Sequence, residues 1–368
     1  MKFLFVYCFC FFVAAGCMAS TDPDSLFKAY KMAPTADARS EIAFRIALKS
    51  LFSKPKVALP YLRATINEAP QIKNKMYLGK AYNAMGIYYY YQSQHDSSLM
   101  VLSKAKEIAS ESGAKDDYNK ALKNSGLAYS GKGDYAVAVK VYLESLEYSR
   151  AIKDTSGISG SLNDIGNTYI LLRNYPEALK FQKEAEYYLK LYHNPGIMGN
   201  VYNSIGTIYG DLKKYDSSRV YYEKSLKLKE KYGTTRSVIN TKSNLCGCLD
   251  DEKKITESIQ CYNELLVLQN KDDDELGIVR TYSNLSVAYR NLGELNKSME
   301  MLQTALKKAQ RLDDKNLLAQ IYTKMAAVQE LQGEHLKAKQ NYETYMSIKD
   351  SIFYTDRNKE TVEMAAKY

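Results

Sequence analysis

The residues of this chain that could do chemistry are three histidines, six cysteines and an asparagine that keeps returning. His95, His193 and His335 stand far apart, and no phosphate-cradling glycine loop, nucleophile elbow or paired-histidine metal motif accompanies them. His95 and His335 occupy equivalent turn positions and His193 precedes Asn194-Pro195, so all three read as solvent-facing turn residues. The acidic clusters Asp272-Asp273-Asp274 and Asp313-Asp314 fall between periodic segments, where solvated links belong. No catalytic residue is assigned and no enzyme is expected.

Cys8, Cys10 and Cys17 lie near the N-terminus, which leaves Cys246, Cys248 and Cys261. An odd number is not a disulfide framework, and Cys-x-Cys without a nearby histidine supplies too few metal ligands. No metal and no cofactor are expected. The three read as small buried hydrophobes, with a Cys246–Cys261 bridge as the alternative in an oxidising compartment.

The sharper signal is asparagine. Asn83, Asn163, Asn203 and Asn244 stand three residues before a recurring small residue, and Asn124 and Asn284 stand two before one. Asparagine is a middling helix former, so its return needs a cause. Its amide both donates and accepts. A row of such amides can grip the backbone of an extended peptide without reading its side chains; equally, each can bond the neighbouring repeat. Tyr90 and Tyr91 close the run Tyr88-Tyr89-Tyr90-Tyr91, which covers every face of a helix and cannot be wholly buried.

The small residue that orders these positions is Gly86, Gly126, Gly166, Gly206, Gly247, Ser286 and Ala326, a period of about 40. Three residues on stand Tyr89, Tyr129, Tyr169, Tyr209 and Tyr289; four before stand Tyr82, Leu122, Leu162, Tyr202, Tyr282 and Tyr322. Offsets of −4, −1, 0 and +3 trace one stripe of a helix, designated A. Twelve residues after the small residue come Ser98, Ala138, Ala178, Ser218, Ser298 and Ala338, the marks of a second helix, B. Gly133, Gly293 and Gly333 punctuate the turn between them. Paired small residues mark where two helices cross too closely for larger side chains, and one such hairpin cannot bury its own apolar face, so neighbours must stack. The copy at Gly247 reads as worn, with Asp250 in place of the tyrosine and a turn one residue short. A degenerate first copy is expected around Ile46, with helices Ile42–Leu51 and Val57–Ile66.

These landmarks resemble the tetratricopeptide repeat family over roughly residues 40–345. More particularly, they resemble exported proteins of that family and the repeat-built sensor regions of Bacteroides-type bacterial regulators. The family's usual period is about 34, so longer helices or links are expected here. The resemblance implies an all-α, right-handed superhelical solenoid of about eight helix-turn-helix units. It also implies an inner groove, lined by the A helices, that holds a protein or peptide partner. Asn83, Asn124, Asn163, Asn203, Asn244, Asn284, Tyr90 and Tyr91 are the candidate groove residues.

Lys2 followed by an apolar run from Phe3 to Ala15 is a secretory signal, too short to span a bilayer as a permanent helix. Ala14-Ala15-Gly16-Cys17 resembles a lipoprotein signal that would acylate Cys17; ordinary cleavage after Ala19 is the other reading. The expected layout is therefore a signal peptide over 1–19, a linker over 20–39, the array over 40–345 and a C-terminal capping helix over 346–368. The chain is 45% hydrophobic and 25% charged, ordinary globular usage, and its net charge of +9 is too mild and evenly spread for nucleic acid. The functional expectation is an exported, periplasmic scaffold, membrane-attached only through a lipid anchor, that binds an extended segment of a partner protein. The alternatives are a periplasmic ligand-sensing module of a transcriptional or signalling regulator, and self-association of an open-ended stack.

Overall fold

In the computed structural model of this protein the described residues are 23–51, 55–68 and 76–365. The expected signal peptide over 1–19, with Cys17, lies outside them. The described residues form seventeen helices and no strand, in two compact units, Met1–Tyr192 and His193–Tyr368.

The first unit holds α1 (Pro23–Met32) and four hairpins. These are α2 (Ala36–Ser50) with α3 (Pro55–Asn67), α4 (Met76–Tyr91) with α5 (His95–Glu111), α6 (Lys115–Lys132) with α7 (Tyr135–Ala151), and α8 (Thr155–Leu171) with α9 (Tyr175–Tyr192). The second unit holds four more: α10 (Pro195–Asp211) with α11 (Tyr215–Tyr232), α12 (Thr235–Asp251) with α13 (Ile255–Lys271), α14 (Glu275–Asn291) with α15 (Leu295–Leu312), and α16 (Lys315–Leu331) with α17 (His335–Ala365). From α6 onward every helix begins 20 residues after the one before, so the period of 40 divides into two near-equal helices.

Local chemistry explains that regularity. Twelve of the turns place a residue in the left-handed region: glycines 113, 133, 293 and 333, and Ser93, Lys153, Arg173, His193, Lys213, Lys253, Asp273 and Asp313. The second residue of each Asp273-Asp274 and Asp313-Asp314 pair then caps the next helix: Asp274 and Asp314 side chains accept from the amides of Gly277 and Leu317 at 3.2 and 3.0 Å. Asn194 caps Ile197 in the same way, and Thr234 with Ser237 forms a capping box. The acidic clusters are therefore helix punctuation.

Each hairpin crosses at its small residues. A Cβ on Gly86 would stand 2.5 Å from Leu102, and one on Gly126 or Gly206 would stand 2.6 or 2.7 Å from the Tyr142 or Tyr222 ring. The serines at the B-helix mark close the crossing: Ser98, Ser218 and Ser298 hydroxyls donate to the carbonyls of Gly86, Gly206 and Ser286 at 2.7, 2.8 and 2.7 Å.

Four expectations change. Gly247 is not the crossing residue of its repeat: its nearest neighbour across the gap is Tyr262 Oη, 3.9 Å from where a Cβ would be. Cys246 holds that position, fully buried, with buried Ser258 twelve residues on. The turn is of normal length and Leu249, not Asp250, takes the tyrosine's place. The segment 20–39 is no plain linker, because α1 buries Leu26 and Ala29 against Ile42 and Ile46. The segment 346–368 is no separate capping helix within the described residues, because α17 runs unbroken from His335 to Ala365. Where the other inter-hairpin turns read Lys153-Asp154, His193-Asn194 or Asp313-Asp314, this one reads Phe353-Tyr354, with neither a left-handed former nor a cap to stop the helix. Finally, His95 is half-buried rather than wholly solvent-facing, since its ring packs 5.7 Å from Tyr90 and fills the space left by Gly131. His335 is exposed, with Nδ1 2.9 Å from Glu330.

The cysteines follow the alternative reading. Cys246 and Cys261 are joined, tying α12 to α13 at their crossing with Cα atoms 5.4 Å apart. Cys248, two residues on and on another face, is a free buried thiol.

Candidate binding face of the A helices

Within each unit successive A helices (α2, α4, α6, α8; α10, α12, α14, α16) touch one another as well as their own B helices. That close approach puts them on the inner side of the local bend. Apolar packing such as the Phe44–Tyr77 ring contact joins α2 to α4, and polar rungs recur elsewhere. In the first unit Asn124 Nδ2 donates to Asn83 Oδ1 at 2.9 Å, and Lys123 Nζ stands 3.2 Å from the Asp164 carboxylate. In the second, Asn244 Nδ2 donates to Asn203 Oδ1 at 3.1 Å, while Lys324 Nζ donates to Ser283 Oγ and its carbonyl at 2.7 and 3.1 Å. All four rungs obey one rule: the residue two before the small position reaches back to the residue three before it in the preceding repeat. With Cys246 as the crossing residue, Asn244 joins Asn124 and Asn284 in the first of these columns.

The asparagines are thus positioned by one another. A primary amide carries two donor hydrogens and an accepting oxygen, and each asparagine rung uses one donor of one amide and the acceptor of the other. The unused edges remain along the inner face of each unit, where Asn83 and Asn124 in the first and Asn203 in the second are half-buried and Asn244 is exposed. Asn163 is buried and hydrogen-bonded to Asp164. Asn284 is half-buried and bonds the buried Tyr262 phenol, whose pKa burial drives far up. Tyr90 is half-buried beside His95, and burial raises its pKa. Tyr91 is the exposed member of the tyrosine run, at 61%.

Sequence reasoning missed the charged rung. Burial raises the Asp164 carboxyl above the usual range while Lys123 pulls the other way. Burial also lowers the Lys324 amine, with Arg290 reinforcing the effect. Both were legible as the same two columns read at an offset of 41.

A second polar seam lies deeper, along the B helix where it meets its own A helix and the A helix of the next repeat. Asn119 Nδ2 donates to Ser149 Oγ and its Oδ1 accepts from Ser145, both at 2.7 Å, and Ser145 lies 2.9 Å from Ser161. Eighty residues beyond Ser149 the same seam holds Lys229. Its Nζ donates to Thr241 Oγ1 at 2.9 Å, its stem lies against Gly199, and burial lowers its pKa to about 8. Among the described residues no group of His, Cys, Asp and Glu could hold a metal ion, and no helix is long and apolar enough to cross a membrane.

Family models described as tetratricopeptide repeat match residues 77–151, 159–185, 199–232 and 277–351. No curated protein matches by sequence. Among solved structures, the apo quorum sensor NprR from B. thuringiensis aligns at 15% identity and TM-score 0.64, covering 88% of this chain and 91% of that one. A signal-transduction ATPase with a tetratricopeptide repeat sensor, from Pyrococcus horikoshii, aligns at 16% and 0.63, covering 94% of this chain and 53% of its own. A Rap protein complexed with competence and sporulation factor aligns at 14% and 0.60, covering 86% and 87%. At such identities these likenesses concern fold alone, and the fold they share is the stacked helical hairpin whose crossings and punctuation recur here. The chain belongs to the tetratricopeptide repeat family.

Proposed function

We propose that this protein is an exported scaffold that holds an extended segment of a partner protein along the inner face of its A helices. The observation that carries the reading is the set of amide rungs, Asn83–Asn124 and Asn203–Asn244, which fix the side chains in place yet leave a donor and acceptor edge unused. Such an edge matches a peptide backbone, whose N–H and C=O groups need partners whatever the side chains are. The chain does no chemistry of its own, in keeping with a repeat scaffold. Export is supported by the apolar N-terminal run after Lys2 and by the Cys246–Cys261 bridge, which suits an oxidising compartment. Cys17 is the residue that would carry a lipid anchor.

The second reading, a periplasmic sensor that passes ligand binding to a regulator, draws on the relatives described as a quorum sensor and a repeat sensor. Peptides selected from a random library on the chain lacking residues 1–19 separate the two. A scaffold selects extended peptides of varied sequence, and Asn83→Ala with Asn203→Ala weakens them at least tenfold while helicity holds. Failure to select peptides, or binding indifferent to both substitutions, rejects the backbone-gripping role.

A further inference from the structure

We propose that the groove between α16 and the distal part of α17 is a second docking surface, which takes an acidic amphipathic helix of a partner protein. The groove encloses about 580 Å³ and is lined on α16 by Ala319, Thr323 and Lys324, and on α17 by Tyr345, Lys349 and Phe353.

One repeat earlier the same face is occupied. On α15, Leu302, Ala305 and Ala309 are fully buried, packed with Leu317, Ile321, Met325 and Val328 of α16. Forty residues on, α17 presents Tyr342, Tyr345 and Lys349 at those positions, and Tyr342 is 40% exposed. The polar rung is open as well. Thr323 stands in the column where Asn83, Asn203 and Ser283 each receive a bond from the next A helix, and its hydroxyl instead turns back to the Ala319 carbonyl at 2.9 Å. The surface is therefore shaped for a helix, because within each unit the equivalent surface of the preceding hairpin holds one, as α14 and α15 hold α16. The run-on of α17 adds to it, carrying Phe353, 61% exposed, past the level where α15 stops.

Charge selects the occupant. The lining holds two lysines and no carboxylate; Lys349 is the exposed cation, while Lys324 is already engaged by Ser283. A helix with glutamates flanking its apolar stripe meets complementary charge at this lining, whereas one flanked by lysines meets repulsion. The groove lies at the end of the asparagine columns and none of the six candidate asparagines lines it, so it admits a partner in addition to the extended segment.

The test uses the chain from residue 20 onward and two labelled 18-residue helical peptides with one leucine stripe, flanked by glutamate in one and lysine in the other. By fluorescence anisotropy the glutamate peptide binds at least tenfold tighter than the lysine peptide. Lys349→Glu removes that preference, Phe353→Asp weakens binding at least tenfold, and Asn203→Ala changes nothing. Lys349 and Phe353 are exposed, and circular dichroism checks that both variants keep their helicity; Lys339→Glu, nearly three turns earlier on α17 and in a different groove with Glu343 and Met346, is the control that binds normally. Equal affinity for both peptides, or indifference to both groove variants, overturns the proposal. So does light scattering that finds a dimer dissolved by Phe353→Asp, which would give the groove to a second copy.

Discussion

Asn124 reaches Asn83 across 2.9 Å at a sequence separation of 41, one more than the repeat period. The single extra residue is what turns a column of amides into a chain of contacts, because each residue bonds the column beside its own. Removing one partner of a half-buried pair leaves the other amide short of a bond, at about 0.5–1.5 kcal/mol. Asn83→Ala and Asn124→Ala are each expected to lower stability by that much. A double-mutant cycle by denaturant unfolding should return a coupling of about 0.5–1 kcal/mol; a coupling of zero would mean the rung does not join the repeats.

The charged rung should matter more. Lys123 is the cation beside the half-buried Asp164 carboxyl. Lys123→Met strands that carboxyl, which must then fold protonated or suffer its burial unpaired, and the cost of losing one partner exceeds that of an asparagine rung. Stability of the variant is expected to rise relative to wild type as pH falls from 7 to 5, since acid supplies the missing proton. Chemical denaturation at the two pH values checks this, and a difference independent of pH would remove Asp164 from the account.

Lys229 gives the opposite sign. Its folded pKa of about 8 lies below the ordinary 10.5, because burial disfavours the charged form. Protonation therefore favours the unfolded chain, and the penalty is full below pH 8 and fades as pH rises toward 10.5. Lys229→Met should be more stable than wild type at pH 7, by about 2 kcal/mol once residual solvation is discounted. The advantage should shrink steadily between pH 8 and 10.5. Thermal melts of both proteins across that range decide it, and a constant gap would mean that burial does not lower the Lys229 pKa in the folded chain.

The hairpin architecture could be read from the chain because glycine and tyrosine landmarks answer to backbone geometry, which repeats regardless of neighbours. Gly86 and Leu102 had to meet once helix A and helix B were paired. What could not be read was register at the one repeat where two small residues adjoin, Cys246 and Gly247, because either can pass a close helix and only the packing of Tyr262 distinguishes them. The asparagine columns were visible, but their bonding was not. An amide facing a groove and an amide facing the next helix have the same local spacing, and the choice depends on how far successive repeats rotate. His95 was misjudged for a related reason: its burial comes from Gly131, 36 residues downstream, in another hairpin.

The turns supply a further prediction, since the left-handed conformation strains any residue with a Cβ. Arg173 and Lys213 sit there with φ of 56° and 57°, exposed and at the ends of A helices. Glycine relieves that strain but adds freedom to the unfolded chain. At a helix end that needs positive φ the first effect outweighs the second. Arg173→Gly and Lys213→Gly should each stabilise by about 0.5–1 kcal/mol, additively because they lie in different turns, whereas Gly133→Ala, at φ 89°, should destabilise. Melting temperatures that move the other way would show that the turns are held by contacts rather than by backbone preference.

The bridge between Cys246 and Cys261 closes a separation of 15 residues across one hairpin crossing. A constraint of that length restricts the unfolded chain by about 3 kcal/mol in the loop-entropy account. In the same crossing Ser258 Oγ is buried without a partner, although its equivalents Ser98, Ser218 and Ser298 each hold a carbonyl. The covalent link therefore stands in for the hydrogen bond that closes those other crossings. Reduction, or Cys246→Ala with Cys261→Ser, should lower the melting temperature and raise amide exchange first in α12 and α13, with the remaining helices less affected because repeats couple mainly to their neighbours. Hydrogen exchange resolved by peptide measures this, and a uniform rise along the whole chain would show that the link stabilises the array globally instead of one crossing.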